Sequence, residues 1–223
     1  MTYPDKYQMT IKQAKFFAHK NLVNLIHDNS KFEGAQTTLP QTQTIVDGMS
    51  VAGISTDDVV TIVTLKRAWQ FVIANAQPYT IEISNKINAK VTAADSLDPG
   101  NFRTENVSIG GTDYVPPILS TEEITTTIQQ ILSPNDDTSE SMTDKLLKLL
   151  LTMMRSQFYW DGNKRTAFLT VNYLAINAGI GLFNVSEDQL LTFNTLLSHF
   201  YTTNEPHELM DWLYQNCIYG LKL

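Results

Sequence analysis

Two stretches of this 223-residue chain are apolar around nearly the whole circumference of a helix, and a short polar loop joins them. Leu146, Leu147, Leu149, Leu150, Leu151, Met153 and Met154 cover nearly all of the first. Ala167, Phe168, Leu169, Val171, Leu174, Ala175, Ile176 and Ala178 do the same for the second. A helix apolar all round is enclosed by other elements, so this pair forms the centre of a helical domain. At this length about 70–75% of the unfolded surface can be buried, enough to enclose both. The loop between them, Asp161-Gly162-Asn163-Lys164-Arg165, is wholly polar. A polar loop joining two core helices usually has something to bind.

The rest of the chain supplies the enclosing helices. Ile11, Ala14, Phe17, Leu22 and Ile26 recur at helical spacing and predict one helix from about Met9 to Asp28, ended by Asn29-Ser30. Thr38-Leu39-Pro40 starts a short helix to Val46. Thr56-Asp57-Asp58 caps one reaching Ala74, and Ile81, Ile83, Ile87 and Val91 share a period near four over Thr80 to Val91. Val107-Ser108-Ile109 and Tyr114-Val115 flank Gly110-Gly111, a pattern that predicts a β-hairpin. Helical patterning resumes near Thr121, breaks at Ser133 to Asp137, and starts again at Met142; two more helices run over Ser186 to Phe200 and Pro206 to Cys217. The expected fold class is all-α with one small hairpin.

The loop has the chemistry of an anion site. Gly162 adopts backbone conformations closed to other residues, which lets successive N–H groups turn toward one point. The following helix begins near Asn163, and its first N–H groups carry the positive end of the dipole. Lys164 and Arg165 add formal charge, completing a phosphate cradle. Asp161 suits Mg²⁺, which favours one or two carboxylates beside phosphate oxygens. The plain alternative is a capped turn, with Asp161 as N-cap and both basic side chains solvated.

At this point Gln157-Phe158-Tyr159-Trp160-Asp161-Gly162-Asn163-Lys164-Arg165 resembles the Fic/Doc signature, His-X-Phe-X-(Asp/Glu)-Gly-Asn-(Gly/Lys)-Arg, between two central helices. Pro99-Gly100-Asn101-Phe102-Arg103 resembles the segment that precedes the family's flap hairpin. Val107 to Val115 resembles the flap, and Ser30-Lys31-Phe32-Glu33-Gly34 the N-terminal inhibitory motif. The resemblance spans roughly residues 10 to 200 and implies a Fic-type helical bundle. Residues 1–50 would be N-terminal helices with an inhibitory-like segment and 51–223 a Fic-like core, together one compact unit. It further implies transfer of AMP, or in the Doc branch of toxin–antitoxin pairs a phosphoryl group, from ATP or another nucleotide to a protein hydroxyl with Mg²⁺. Asp161 would bind the metal, Gly162, Asn163 and Lys164 would form the nest, and Arg165 would contact phosphate. The 107–115 flap would meet a target protein, and Glu33 would be the inhibitory residue.

Three positions depart from the pattern. The motif histidine, the general base, is Gln157, and an amide cannot accept a proton at neutral pH. The second arginine, which grips the terminal phosphate, falls at Phe168, so Glu33 would face Lys164 or Arg165 instead. The first inhibitory-motif residue, normally Ser or Thr, falls at Asn29. Two functions therefore stand side by side: a Fic/Doc-like transferase with Gln157 in an unusual role, and a Fic-fold pseudoenzyme acting as a binding module.

Charge and composition narrow the partners. A net charge of −7 argues against non-specific nucleic-acid binding without excluding one basic pocket. No basic segment followed by an apolar run opens the chain, and no apolar stretch is long enough to span a bilayer, so a cytoplasmic location without membrane partners is expected. The single Cys217 cannot form an internal disulfide. His19, His27, His199 and His207 lack metal-ligand spacing and read as surface or packing residues. Trp160 is either a core aromatic or a wall of the nucleotide or target groove. A homo-oligomer is compatible with all of this.

Overall fold

The computed structural model describes residues 2–133 and 140–221, so residues 134–137 of the expected loop lie outside the described residues. Around the two apolar helices, α7 (Met142–Ser156) and α8 (Asn163–Ala178), pack α1 (Ile11–Lys20), α4 (Thr56–Ala74), α5 (Ile81–Val91) and α6 (Thr121–Leu132). Thirteen of the sixteen residues of α8 are buried, which makes it the axis of the bundle. The remaining helices are α2 (Leu22–Ser30), α3 (Leu39–Val46), α9 (Leu190–Thr203) and α10 (His207–Asn216). The all-α expectation holds.

Local chemistry starts the helices where the sequence signals lie. Capping boxes open α1 (Thr10 with Gln13), α3 (Thr38 with Gln41) and α6 (Ser120 with Glu123). The first expected helix is instead two. The Asn21 side chain donates back to Phe17 O at 2.8 Å, competing with the helix ladder and opening a joint between α1 and α2. At the other end, tertiary bonds carry α2 past Asp28. Trp69 Nε1 donates to Asn29 Oδ1 at 3.1 Å, and Ser30 Oγ to His27 O at 2.6 Å.

The β-hairpin does not form. Residues 107–115 are an extended segment with a turn at Gly110-Gly111, and among the described residues only two short strands pair. These are β1 (Leu182–Phe183) and β2 (Ile218–Tyr219), antiparallel, which close the C-terminus onto the end of α8. No helix among the described residues is long and apolar enough to cross a membrane.

Candidate functional site

The polar loop is a rigid corner between α7 and α8. Helix α7 stops because Gln157 takes the left-handed conformation (φ 47°, ψ 62°), while its N–H still caps Met153 O. Asn163 then binds its own loop twice: Oδ1 accepts from Tyr159 N at 2.9 Å, and Nδ2 donates to Tyr159 O at 2.8 Å. Asn88, fully buried on α5, fixes the other side. Its Nδ2 donates to Asp161 O and Thr166 Oγ1, both at 3.0 Å, and its Oδ1 accepts from Gly100 N at 2.9 Å. Gly162 sits at φ 66°, where an added Cβ would overlap Thr92 Cγ2. Only glycine fits this corner. Asn88 carries no chemical motif in the sequence, although two amides within the apolar period of α5, Asn85 and Asn88, are a visible signal.

Gly162, not Asp161, is the N-cap of α8. Asn163 and Lys164 are its first two residues, so their N–H groups have no acceptor one turn back. They face a groove of about 460 Å³ together with Gln157, Trp160 and Asp161. Segment 107–110 forms a second wall and α9, through Asn194, Leu197, Ser198 and Tyr201, the third. Trp160 is thus a groove aromatic. Burial pushes the Lys164 ammonium below its ordinary value, partly offset by the nearby Glu33 carboxylate. Asp161 is half-exposed, and its Oδ1 accepts from Gly162 N at 2.5 Å. Among the described residues no cluster of three or more His, Cys, Asp or Glu could hold a metal. The Asp161 carboxylate beside an anion nest therefore fits Mg²⁺ shared with phosphate rather than an all-protein cage. A second cavity, about 440 Å³ between α5 and α6, has the acidic Glu82 as its one charged side chain and no basic residue.

Arg165 departs from expectation. Neither solvated nor facing the groove, it is 1% exposed and donates to Val91 O at 2.9 Å. Its Nε lies 2.7 Å from Glu33 Oε1, although the N–H is not aimed at that oxygen, so the contact is ionic rather than a well-formed hydrogen bond. Asp161 Oδ1 is 4.0 Å from its other end. Glu33 itself lines the groove. The carboxylate thus occupies the side of the nest where the buried guanidinium offers its charge.

A short helical turn, Lys31–Glu33, presents that carboxylate. Gly34 closes the turn at φ 74°. The Lys31 ammonium uses all three donors: Ala35 O at 3.1 Å, Thr37 O at 2.6 Å and Glu187 Oε1 at 3.0 Å. Glu187 Oε2 also meets buried His27 Nε2 at 3.0 Å. Asn29, at the position of the motif's usual Ser or Thr, is buried between Trp69 and Asn184 and reaches no phosphate site. Phe168 is likewise buried, its ring 5.1 Å from Phe32 and 5.8 Å from Phe193. The remaining histidines do not line the groove, and Cys217 is buried with its thiol pushed far up by desolvation.

Residues 78–175 match the model of the Fic/DOC family. Among solved structures, Fic-1 (residues 134–508) from C. elegans superposes with a TM-score of 0.75 at 17% identity, covering 88% of this chain and 60% of that one. A Fic domain containing signaling protein from Bacteroides thetaiotaomicron superposes at 0.71 and 16% identity, covering 93% and 86%. This chain therefore spans about three fifths of the Fic-1 fragment. No curated protein matches it by sequence. Its central segment, 78–175, thus matches the Fic/DOC family model, and nearly the whole chain has the fold of these Fic proteins.

Proposed function

We propose that this protein binds the phosphates of a nucleotide such as ATP at the N-terminus of α8 and transfers AMP or a phosphoryl group to a protein hydroxyl. The observation that carries the reading is the groove itself. Asn163 and Lys164, the first two residues of α8, line it together with Asp161. The Fic/DOC family match of residues 78–175 supports the same reaction class. Mg²⁺ beside Asp161 would neutralise phosphate charge. The chain's own part is to orient: the nest holds the non-bridging oxygens, and Asn163 and Asn88 keep the corner from relaxing.

In the transfer the target's hydroxyl oxygen bonds to the α-phosphorus of ATP while the bond to the leaving pyrophosphate breaks, or to the γ-phosphorus while the bond to the leaving nucleoside diphosphate breaks. The hydroxyl proton must leave by water or on the departing oxygen, because Gln157 cannot take it. Without a positioned base the step forgoes about 10²–10⁴-fold in rate. Glu33 further opposes binding, since its carboxylate lines the same groove and repels an incoming phosphate. The second reading, a Fic-fold binding module without chemistry, draws on the Gln157 side chain, whose Nε2 donates to Met154 O at 2.5 Å rather than into the groove.

Calorimetric titration with ATP, with and without Mg²⁺, tests the reading, followed by mass spectrometry of the protein for added AMP or phosphoryl. Mg²⁺-dependent binding is the expected result. Absence of binding in both wild type and the Glu33→Gly variant would remove the phosphate site. Binding without any modified protein leaves the binding-module reading.

A further inference from the structure

Among the described residues Arg103 has no carboxylate partner, yet it is 3% exposed. Its guanidinium donates only to backbone carbonyls. Nε reaches Gln157 O at 2.6 Å and Nη1 reaches Glu105 O at 2.7 Å. Nη2 reaches Pro117 O at 2.6 Å, Pro116 O at 3.0 Å and Ser156 O at 3.4 Å. Two of these acceptors, Ser156 and Gln157, end α7 and so carry the negative end of its dipole. Two others, Pro116 and Pro117, follow the strap of residues 105–115, and Glu105 begins it. One buried cation thus ties both ends of the strap to the corner at Gln157. Its own N–H adds a bond to Phe158 O at 3.0 Å, and Phe102 bridges Tyr159.

The strap needs such a tie. Among the described residues, segment 104–115 makes no backbone–backbone hydrogen bond, so no ladder holds it. Its far end is tacked down by Ser198 Oγ to Gly111 O at 3.2 Å and by Tyr114, whose ring lies 3.8 Å from the Arg155 guanidinium. Residues 107–110 of this strap are a wall of the groove.

We propose that Arg103 is the positioning residue of the groove: by gathering the two strap ends and the Gln157 carbonyl on one guanidinium, it sets the strap as a wall facing the α8 nest. The functional half of this rests on the nucleotide reading above; the structural half does not. Lysine cannot replace it, since a point ammonium with three donors cannot span carbonyls on three chain segments in one plane.

The test uses the full chain with Arg103→Ala and Arg103→Lys. It reads amide hydrogen exchange over residues 104–117, ATP–Mg²⁺ affinity and thermal unfolding. Both variants should exchange faster in the strap than elsewhere and bind ATP about tenfold more weakly, because the wall is no longer preorganised. Methylguanidinium at millimolar concentration should restore strap protection and affinity in Arg103→Ala, which a merely stabilising residue would not show. Should Arg103→Ala fail to fold, Arg103→Lys decides by the same readings. A folded variant with wild-type exchange in the strap overturns the proposal. So does weaker ATP binding whose loss follows global unfolding alone. Wild type without ATP affinity overturns the nucleotide reading and the functional half with it, while the exchange data still decide whether Arg103 holds the strap.

Discussion

At the scale of single residues, the corner at Asp161, Gly162, Asn163 and Lys164 is readable because its geometry follows from local backbone: a left-handed glycine followed at once by a helix start. The pairing of Arg165 with Glu33 is readable only through the family resemblance, and the burial of Arg165 away from the groove is not, because no local pattern encodes its bond to Val91 O. Gln157 sits between these cases. The missing proton acceptor is plain in the sequence, but the left-handed backbone that fixes the residue is not. That backbone makes a sharp experiment. Histidine is among the residues enriched at positive φ, so Gln157→His should cost little stability. If the groove otherwise supports transfer, an imidazole there should raise the rate by about 10²-fold or more. The rate should also acquire a pH limb near the imidazole value of about 6.5, falling below it as the base becomes protonated. Rapid transfer by wild type, unchanged in the variant, would show that no base is needed at this position. Nucleotide binding without transfer in either protein would favour the binding module.

At the scale of elements, the caps and apolar periods placed most helices to within a few residues, and the failures have physical causes. Gly110-Gly111 does make a turn, but the flanking residues find no ladder partner in each other. The carbonyls at the strap's two ends are taken by Arg103, and side chains of α7 and α9 hold its far part. The turn that carries Glu33 is likewise stabilised from a distance, by Glu187. This carboxylate is 57% exposed, yet its partners His27 and Lys31 are 6% and 9% exposed. Bonds from His27 first and Lys31 second hold its carboxyl below the ordinary range. A depressed carboxyl stabilises the fold above its unfolded value, about 4.3, and loses that contribution as pH falls through the folded one. Asp28, raised by burial, works in the opposite sense, so substitution isolates the effect better than acid does. Glu187→Gln should loosen the turn and raise ATP affinity severalfold. In a Glu33→Gly background it should add nothing, since residues acting through one contact are not additive. Equal gains in both backgrounds would mean that Glu187 acts without Glu33.

At the scale of the whole molecule, the groove is held closed by the same packing that builds the core. Phe32 immediately precedes Glu33, and its ring stacks on Phe168 of α8 and tilts against Phe193 of α9, which in turn stacks on Trp212 of α10. The aromatic column links the central helix, the Lys31–Glu33 turn and the C-terminal helices, and Lys164 lies 5.9 Å over the Phe32 ring. The sequence showed Phe168 only as an apolar residue where an arginine was expected; the substitution makes sense once its neighbours are known to be aromatic. Phe168→Ala should cost about 3–5 kcal/mol, the range for emptying a buried aromatic site, and lower Tm by about 6–20 °C for a domain of this size. The informative reading is binding at a temperature where the variant is folded. With the stack gone, the Phe32 ring loses its platform and Glu33 should leave Arg165 more readily, so ATP affinity should rise while stability falls. Phe168→Leu, which keeps most of the volume, should show smaller changes in the same directions. A folded Phe168→Ala protein with lower Tm and unchanged affinity would show that the ion pair is set by the Lys31 and Glu187 contacts alone. Stability and inhibition would then be separable properties of this fold.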